Sequence, residues 1–275
     1  MKPEYRLPAR PVAHEDAVVG GDRWRISVLT DGLVRVEWSD DGGFEDRPST
    51  FAIRRELPVP PFRVHDSGTH VEVETARFRL TYDKQPFSTS GLSLAVLGGV
   101  SSYHSVWRFG QDAGELGGQI GQSEDNLGGT ARTLDDVDGA TALEQGVVSR
   151  QGYAVLDDSA SFLFDDDGWV APREPGRQDL YLFAYGHDYL DALQAFYAVS
   201  GPTPVLPRWA LGNWWSRYHR YTAEGYQALI ERFRAEGLPF SVSVIDMDWH
   251  LVEIDPEHGS GWTGYTWNRE LFPDP

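Results

Sequence analysis

The chain has 275 residues, enough for one large domain or two smaller ones, and 42 acidic against 24 basic residues give it a net charge of −18. We expect no binding to nucleic acid or to an anionic membrane, because phosphate contacts need Lys and Arg. Without cysteine, the chain has no disulfide, thiolate zinc site or cysteine nucleophile. The N-terminus lacks the apolar core of a signal peptide, and no apolar run approaches the roughly 18 residues of a membrane span. These features favour a cytoplasmic protein.

Residues 1 to about 185 are predicted to form an antiparallel β-sandwich. Arg23–Leu29 and Leu33–Trp38 alternate apolar with polar residues around Thr30-Asp31-Gly32, which is typical of a hairpin. Many short strands at this spacing argue for a sandwich. The further predicted strands are His70–Glu74, Arg77–Tyr82, Leu92–Leu97, Tyr153–Leu156, Ser161–Phe164 and Asp179–Tyr185.

A glycine-rich segment and a proline-rich linker interrupt this pattern. Gly110–Gly146 is rich in Gly, Asp, Asn and Thr, and it is either a functional loop or a plain surface loop. Asp188–Ser200 is predicted to be a helix that Gly201 ends. Three prolines follow within Pro202–Pro207, so we place a domain boundary here, with residues 1–201 in the first domain and 202–275 in the second.

The segment after the linker is predicted to be a strand, a helix and a second strand. Trp209–Trp215 is an apolar run typical of a strand buried on both faces. Thr222 is a good N-cap for the helix, and Gly237 suits its end. Phe240–Ile245 is the second strand. One apolar stripe at helical spacing is formed by Tyr226, Leu229, Ile230 and Phe233.

Two aspartates, Asp246 and Asp248, follow the second strand directly. In parallel sheets, ligands bind at the C-terminal ends of the strands. If the chain stays extended, the two carboxylates share one face and could act as a glycosidase pair. Alternatively, one of them accepts hydrogen bonds from sugar hydroxyls, or both only cap the strand end. The spacing leaves the three interpretations open.

Aromatic residues near the same edge are further candidates. Arg217 and Tyr218 follow the first strand, where a tyrosine can stack on a sugar ring or merely close the top of a barrel. Trp249 and Trp262 lie in loop sequence and are better site candidates than Trp209, which we expect in the core. The short acidic stretch Asp165–Gly168 lacks the pattern of a calcium loop and is predicted to be a hairpin turn.

No cofactor or metal is expected from the motifs. His250 and His258 lack the helical spacing of a zinc site. The sequence also contains no Walker A motif, no dinucleotide-binding glycine pattern after a strand, and no nucleophile elbow.

The motifs LPRWALGNWWSRYHRY, GLPFSVSVIDMDWH and GWTGYTWNRELFPDP closely resemble the start of the catalytic barrel of glycoside hydrolase family 31, the α-glucosidases and α-xylosidases. The stretches NLGGTARTLD, GVVSRQGYAVLDDS and DLYLFAYGHDY resemble that family's N-terminal sandwich. The resemblance implies a fold that is mainly β with a C-terminal α/β piece. A galactose-mutarotase-like antiparallel β-sandwich precedes the first βαβ unit of an incomplete TIM barrel.

The resemblance also implies roles for particular residues. Asp246 would hydrogen-bond the sugar in the −1 subsite, Met247 would line the same pocket, and Tyr218 would pack beside the sugar. Gln151, in the sandwich loop Val148–Gly152, stands where the family often has an aspartate. The candidate substrate-binding residues are thus Asp246, Tyr218, Met247, Trp249, Asp248 and Arg217, with Gln151 as a candidate sandwich-loop contact.

We expect the chain to be the N-terminal part of a retaining enzyme that cleaves terminal α-linked glucose or xylose from oligosaccharides. The family's nucleophile lies on the fourth barrel strand and has no equivalent here, so the 275 residues should lack the catalytic carboxylates and be inactive alone. The alternative is a non-catalytic carbohydrate-binding sandwich. An uncovered half-barrel also makes the chain a candidate for homo-oligomerisation through that face, or for poor order after Pro207.

Overall fold

The computed structural model describes residues 7–98, 100, 105–110, 126–129, 137–262 and 264–275. The chain divides into two compact units, Met1–Thr203 and Pro204–Pro275. Most of the predicted glycine-rich loop, residues 111–125 and 130–136, lies outside the described residues. Neither α-helix in the described part of the chain has the length and apolar character that crossing a membrane requires.

The described part of the first unit contains twelve strands and one α-helix. In chain order they are β1 (Val18–Gly20), β2 (Trp24–Val28), β3 (Leu33–Ser39), β4 (Arg63–Asp66), β5 (Val71–Glu74), β6 (Phe78–Tyr82), β7 (Leu92–Val96), β8 (Val106–Arg108), β9 (Ala154–Asp157), β10 (Leu163–Phe164), β11 (Val170–Ala171), β12 (Arg177–Phe183) and α1 (Tyr189–Ser200). Two five-stranded antiparallel sheets have the orders β1-β2-β3-β12-β9 and β4-β5-β6-β7-β8, and β10 pairs with β11. The predicted sandwich is therefore confirmed.

The predicted strands are found with ends shifted by one or two residues, and the helix before the linker starts at Tyr189. The hairpin turn at Asp165–Gly168 joins β10 to β11, as predicted. Sequence analysis missed β1, β4, β8 and β11, which have only two to four residues each. So short a strand carries too few alternations to register as a pattern.

The main core lies between the two sheets. Alternate residues of β3, Val34, Val36 and Trp38, face the second sheet, where β6 contributes Phe78 and Leu80 to the same cluster. Strands place successive side chains on opposite faces, so the other residues of β3 point away from this core. Yet every residue of β3 is buried, so the first sheet must be covered on both faces.

The second face of the first sheet carries a buried ionic network. Arg35 donates to both carboxylate oxygens of Asp179 at 2.7 Å, and Arg173 reaches the same carboxylate at 3.0 Å. Burial alone would raise the pKa of Asp179, but the charge of Arg35 and its hydrogen bonds, aided by Arg173, hold it below its ordinary value. The same face carries a second apolar cluster, in which Ala192 and Val199 of α1 join Tyr181 and Phe183 of β12.

The second unit has one parallel pair of strands and one helix among its described residues. They are β13 (Asn213–Trp215), α2 (Ala223–Ala235) and β14 (Phe240–Ser243), and β13 pairs with β14 in parallel. The predicted βαβ order is confirmed. The predicted strand over Trp209–Trp215 is too long, because Arg208–Leu211 is a 3-10 turn. Trp209, expected in the core, is 55% exposed.

The expectation of a first strand buried on both faces is also wrong for this unit. Trp215 packs against Phe233 of α2 with ring centroids 4.8 Å apart. Trp214 points to the opposite side of the strand and is exposed. One helix covers one side of the two strands, so the side chains on the other side have no second layer among the described residues of the unit.

We expect Asp179→Asn to lower the free energy of unfolding by about 3–5 kcal/mol in urea at pH 7, because it removes the charge of the carboxylate that two buried guanidinium groups share. The folded-state pKa of Asp179 is lowered, so its contribution is present above the unfolded pKa of about 3.9 and is lost as the pH falls through the folded value. The difference in stability between the two proteins should therefore shrink below about pH 4.

The matched control is Glu56→Gln, which removes an exposed pair with Arg10 at 3.4 Å. Surface pairs are worth less than about 1 kcal/mol, so this variant should unfold almost as the parent does. Equal losses in the two variants, or a difference that does not change with pH, would contradict the role given to Asp179.

Candidate functional site

The candidate site is the edge of the second unit where β13 and β14 end. The pairing continues beyond the strands, because the Val244 amide donates to the Trp215 carbonyl at 2.8 Å. Further on, Arg220 and Met247 form an isolated parallel bridge. The two chains that leave the sheet therefore run side by side, and the Asp246–Asp248 stretch neighbours the one that carries Arg217 and Tyr218.

Helix α2 fixes where the second strand leaves the sheet. The Thr222 hydroxyl accepts from the Gly225 amide at 3.1 Å and caps the helix, as its position in the sequence predicted. Tyr226, the first residue of the predicted apolar stripe, is buried and donates its hydroxyl to the Val244 carbonyl at 2.7 Å. This bond attaches the chain to the helix two residues before Asp246.

The predicted site residues differ in exposure. Tyr218 is 77% exposed, and Arg217 and Asp246 are also exposed. Met247, Asp248 and Trp249 are half-buried. An exposed carboxylate beside an exposed tyrosine can accept hydroxyl hydrogen bonds and offer a ring face, which is the chemistry of sugar binding.

Asp246 and Asp248 would share one face only if the chain stayed extended, and the structure does not meet this condition. Asp248 has a φ of +59°, so the chain turns into the left-handed region at this residue. An extended strand would have put both carboxylates on one face, but the turn breaks that geometry. The i, i+2 spacing therefore gives no support for Asp246 and Asp248 as a catalytic pair.

An aromatic loop follows the turn and folds back on itself. His250 and Trp267 form an antiparallel bridge, and the Asn268 amide donates to the Trp249 carbonyl at 2.7 Å. The rings of Trp249 and Trp267 meet edge to face, with centroids 4.9 Å apart. Trp262, a candidate from the sequence, is exposed on this loop. Trp249 thus has a packing role in the loop, whatever else it contacts.

The loop encloses a cleft of about 560 Å³, within the range of small-molecule sites. Of the residues predicted for the site, only Asp248 lines it. Sequence analysis missed the other polar lining residues, because the bridge between His250 and Trp267 that brings them together leaves no local pattern. The lining residues are Arg220, Asp248, Leu251, Val252, Glu253, Thr266, Trp267, Asn268, Arg269 and Glu270.

Gln151, the candidate sandwich-loop residue, lies in a tight turn of the first unit. The Gly152 amide donates to the Ser149 carbonyl at 3.1 Å, and Gly152 has a φ of +85°. The His187 ring nitrogen Nε2 donates to the Arg150 carbonyl at 2.8 Å. Hydrogen bonds therefore fix the backbone on both sides of Gln151.

The described residues contain no group of three or more His, Asp or Glu side chains placed to hold a metal ion. What they offer at this edge is carboxylates, guanidinium groups and aromatic rings.

Residues 203–275 match the sequence model of the glycosyl hydrolases family 31 TIM-barrel domain. The resemblance to family 31 is confirmed. The chain is 27% identical over 193 residues to an α-xylosidase of Saccharolobus solfataricus, covering 64% of this chain and 24% of that protein. It is 28% identical over 108 residues to α-glucosidase 2 of Bacillus thermoamyloliquefaciens, covering 39% of this chain and 12% of that protein.

Solved family 31 enzymes share the fold. A Xanthomonas citri α-xylosidase superposes with a TM-score of 0.60 at 13% identity, covering 96% of this chain and 47% of that one. A Flavobacterium johnsoniae dextranase gives 0.57 at 17% identity, covering 93% of this chain and 34% of that one. The chain thus spans less than half the length of these family 31 relatives.

We expect the left-handed turn to tolerate only some replacements of Asp248. Alanine pays about 1–2 kcal/mol in this conformation, which aspartate tolerates better, whereas Asp248→Gly removes the cost. Hydrogen exchange of the Asn268 amide, which bonds the next residue, Trp249, should therefore speed up in the alanine variant, by at most about thirtyfold. It should change little in the glycine variant.

Asp246→Ala is the control, since Asp246 is not among the residues with a positive φ. Exchange at Asn268 should then stay close to that of the parent. Exchange that speeds up equally in the alanine and glycine variants would show that the carboxylate, and not the backbone conformation, holds the loop.

Proposed function

We propose that residues 1–275 form the N-terminal part of a retaining α-glycosidase that removes terminal α-linked glucose or xylose from oligosaccharides. One observation carries the proposal: the segment that matches the family 31 barrel domain folds as a βαβ unit, and Asp246 lies three residues after the end of its second strand. Relatives named α-xylosidase and α-glucosidase support the reaction class. The proposal includes no binding to nucleic acid or to membranes. We also propose that the protein is cytoplasmic.

In this proposal Asp246 holds the sugar through its hydroxyl groups. An ionised carboxylate accepts two or more such hydrogen bonds, and Asp246 is an exposed residue. Tyr218 supplies a ring face beside the sugar, and Met247 lines the pocket. Arg217, Asp248 and Trp249 form the surrounding rim, and Gln151 is the contact from the sandwich loop.

The bond-breaking carboxylates are supplied from outside these residues. A retaining enzyme needs a nucleophile and an acid/base about 5–5.5 Å apart. The left-handed turn at Asp248 argues against Asp246 and Asp248 as that pair. Barrel enzymes assemble their catalytic groups from the ends of several strands, and two strand ends are available here.

Asp246→Asn in the full-length protein should lower kcat/KM for an aryl α-glucoside or α-xyloside about 10- to 150-fold. It exchanges a charged acceptor, whose hydrogen bonds are worth about 1.5–3 kcal/mol, for a neutral amide. Asp255→Asn is the matched control, because Asp255 is exposed and only caps a 3-10 turn. Unchanged kcat/KM in the Asp246 variant would remove the proposed role.

Residues 1–275 assayed alongside as a purified protein should show no turnover of either substrate. The two described parallel strands cannot position groups that come from several strand ends. Turnover by this protein approaching that of the full-length enzyme would overturn the assignment of the catalytic carboxylates to other residues.

We also propose that residues 1–275 self-associate through the second unit. Large apolar side chains of this unit stand exposed, among them Val205, Leu211 and Trp214. Such a surface favours burial against a second copy. Sedimentation velocity should show a dimer or larger species that Leu211→Lys converts to monomer, with Leu190→Lys, an exposed leucine of the first unit, as the control. A monomer at every concentration would contradict this.

The alternative function, a carbohydrate-binding sandwich without catalysis, has an observation of its own in its favour, an exposed tryptophan on the first unit.

A further inference from the structure

One tryptophan of the first unit differs from all the others in that unit. Trp24, Trp38 and Trp107 are buried, whereas Trp169 is 62% exposed. It lies between the Asp165–Gly168 turn and β11, opposite Asp165 on the other arm of the hairpin. An exposed indole offers a ligand a flat apolar face together with a polar N–H.

The hairpin holds Trp169 in a defined position. The Trp169 amide donates to the Asp165 carboxylate at 2.7 Å, and the Asp165 amide donates to the Trp169 carbonyl at 2.9 Å. Gly168 closes the turn with a φ of +82°, a conformation that favours glycine. A ring carried on such a turn loses little backbone entropy when a ligand binds.

The hairpin is also firmly attached to the sandwich. Leu163 is fully buried, and the Phe164 amide donates to the Pro48 carbonyl at 2.8 Å. Beyond β11, the side chain of Arg173 donates to the Ser161 carbonyl at 3.1 Å and to the Asp158 carboxylate at 2.5 Å. The hairpin that carries Trp169 is thus connected to the buried ionic network through Arg173.

A cleft of about 310 Å³ adjoins the same turn. Its walls combine apolar surface with the carboxylates of Asp165 and Asp166, and its volume is at the lower end of the range for small-ligand sites. The lining residues are Leu7, Ala9, Pro11, Pro48, Phe164, Asp165, Asp166 and Gly168.

We propose that this hairpin is a second saccharide-binding surface, which holds an α-linked glucan chain by stacking one glucosyl unit on Trp169. The C–H face of a pyranose packs against an aromatic ring whose face is electronegative. Asp166 and Asp167, both exposed, accept hydrogen bonds from hydroxyls and repel anionic polymers. The choice of an α-linked chain rests on the proposed function, whereas the choice of a neutral saccharide rests on the hairpin itself.

Native gel electrophoresis of residues 1–275 in gels with and without glycogen tests the proposal. The parent protein should be retarded by glycogen and not by a soluble β-glucan such as hydroxyethyl cellulose. Trp169→Ala should weaken the apparent affinity at least about tenfold, as expected for loss of a central aromatic contact. Trp169→Phe, which keeps a smaller ring, should fall between them.

Leu190→Ala is the matched control, because Leu190 is 74% exposed on α1 of the same unit. It should be retarded as strongly as the parent, and circular dichroism should show that all variants are folded. A parent protein that glycogen does not retard, a Trp169→Ala variant retarded like the parent, or equal retardation by the β-glucan would each overturn the proposal. A dimer that Trp169→Ala dissociates would assign the surface to self-association and overturn it too.

The Asp246→Asn variant separates this inference from the proposed function. If retardation survives in Asp246→Asn and is lost in Trp169→Ala, the hairpin binds glucan whether or not the full-length protein hydrolyses glycosides. If retardation is lost in Asp246→Asn and kept in Trp169→Ala, the sugar binds in the second unit, so the hairpin proposal fails and the proposed function stands.

Discussion

The first unit depends on the buried ion pair between Arg35 and Asp179. These residues are 144 positions apart in the chain, and the pair lies where β3 and β12 run antiparallel over seven residue pairs. Two opposite charges in a protein interior are tolerated only with good geometry and satisfied hydrogen bonds, and the two 2.7 Å bonds provide both. The pair therefore constrains which strands meet and in which register.

The same network includes Arg173, which is also buried. Arg173 bonds Asp179 and Asp158 inside the unit, and it follows the hairpin that exposes Trp169. A buried charge cannot shift without leaving its partner unpaired. The network that contributes to the stability of the sandwich therefore also anchors the segment that follows the Trp169 hairpin.

In the second unit, a few aromatic side chains pack the two strands against the helix. Trp215, Phe233 and Phe240 join the two strands to α2, and Tyr226 fixes the carbonyl of Val244. Beyond that point the backbone is directed by the left-handed residue Asp248 and by the bridge between His250 and Trp267. Arg217, Tyr218 and Asp246 thus lie outside the two strands and the helix that the described residues of this unit form, and all three are exposed.

The sequence by itself determined the elements whose signals are local: the β-hairpins, the two helices with their caps, and the proline-rich linker. Alternation and helical spacing repeat within a few residues, so they can be read without knowing what packs against them. Tertiary structure alone decided that β3 is buried on both faces, that Trp209 is exposed, and that Asp248 breaks the extended strand. The sequence indicated tryptophans after the linker as candidates for sugar binding, and it gave no sign that the ring of Trp169 is exposed. Exposure depends on residues distant in the chain, and a one-dimensional pattern carries no record of them.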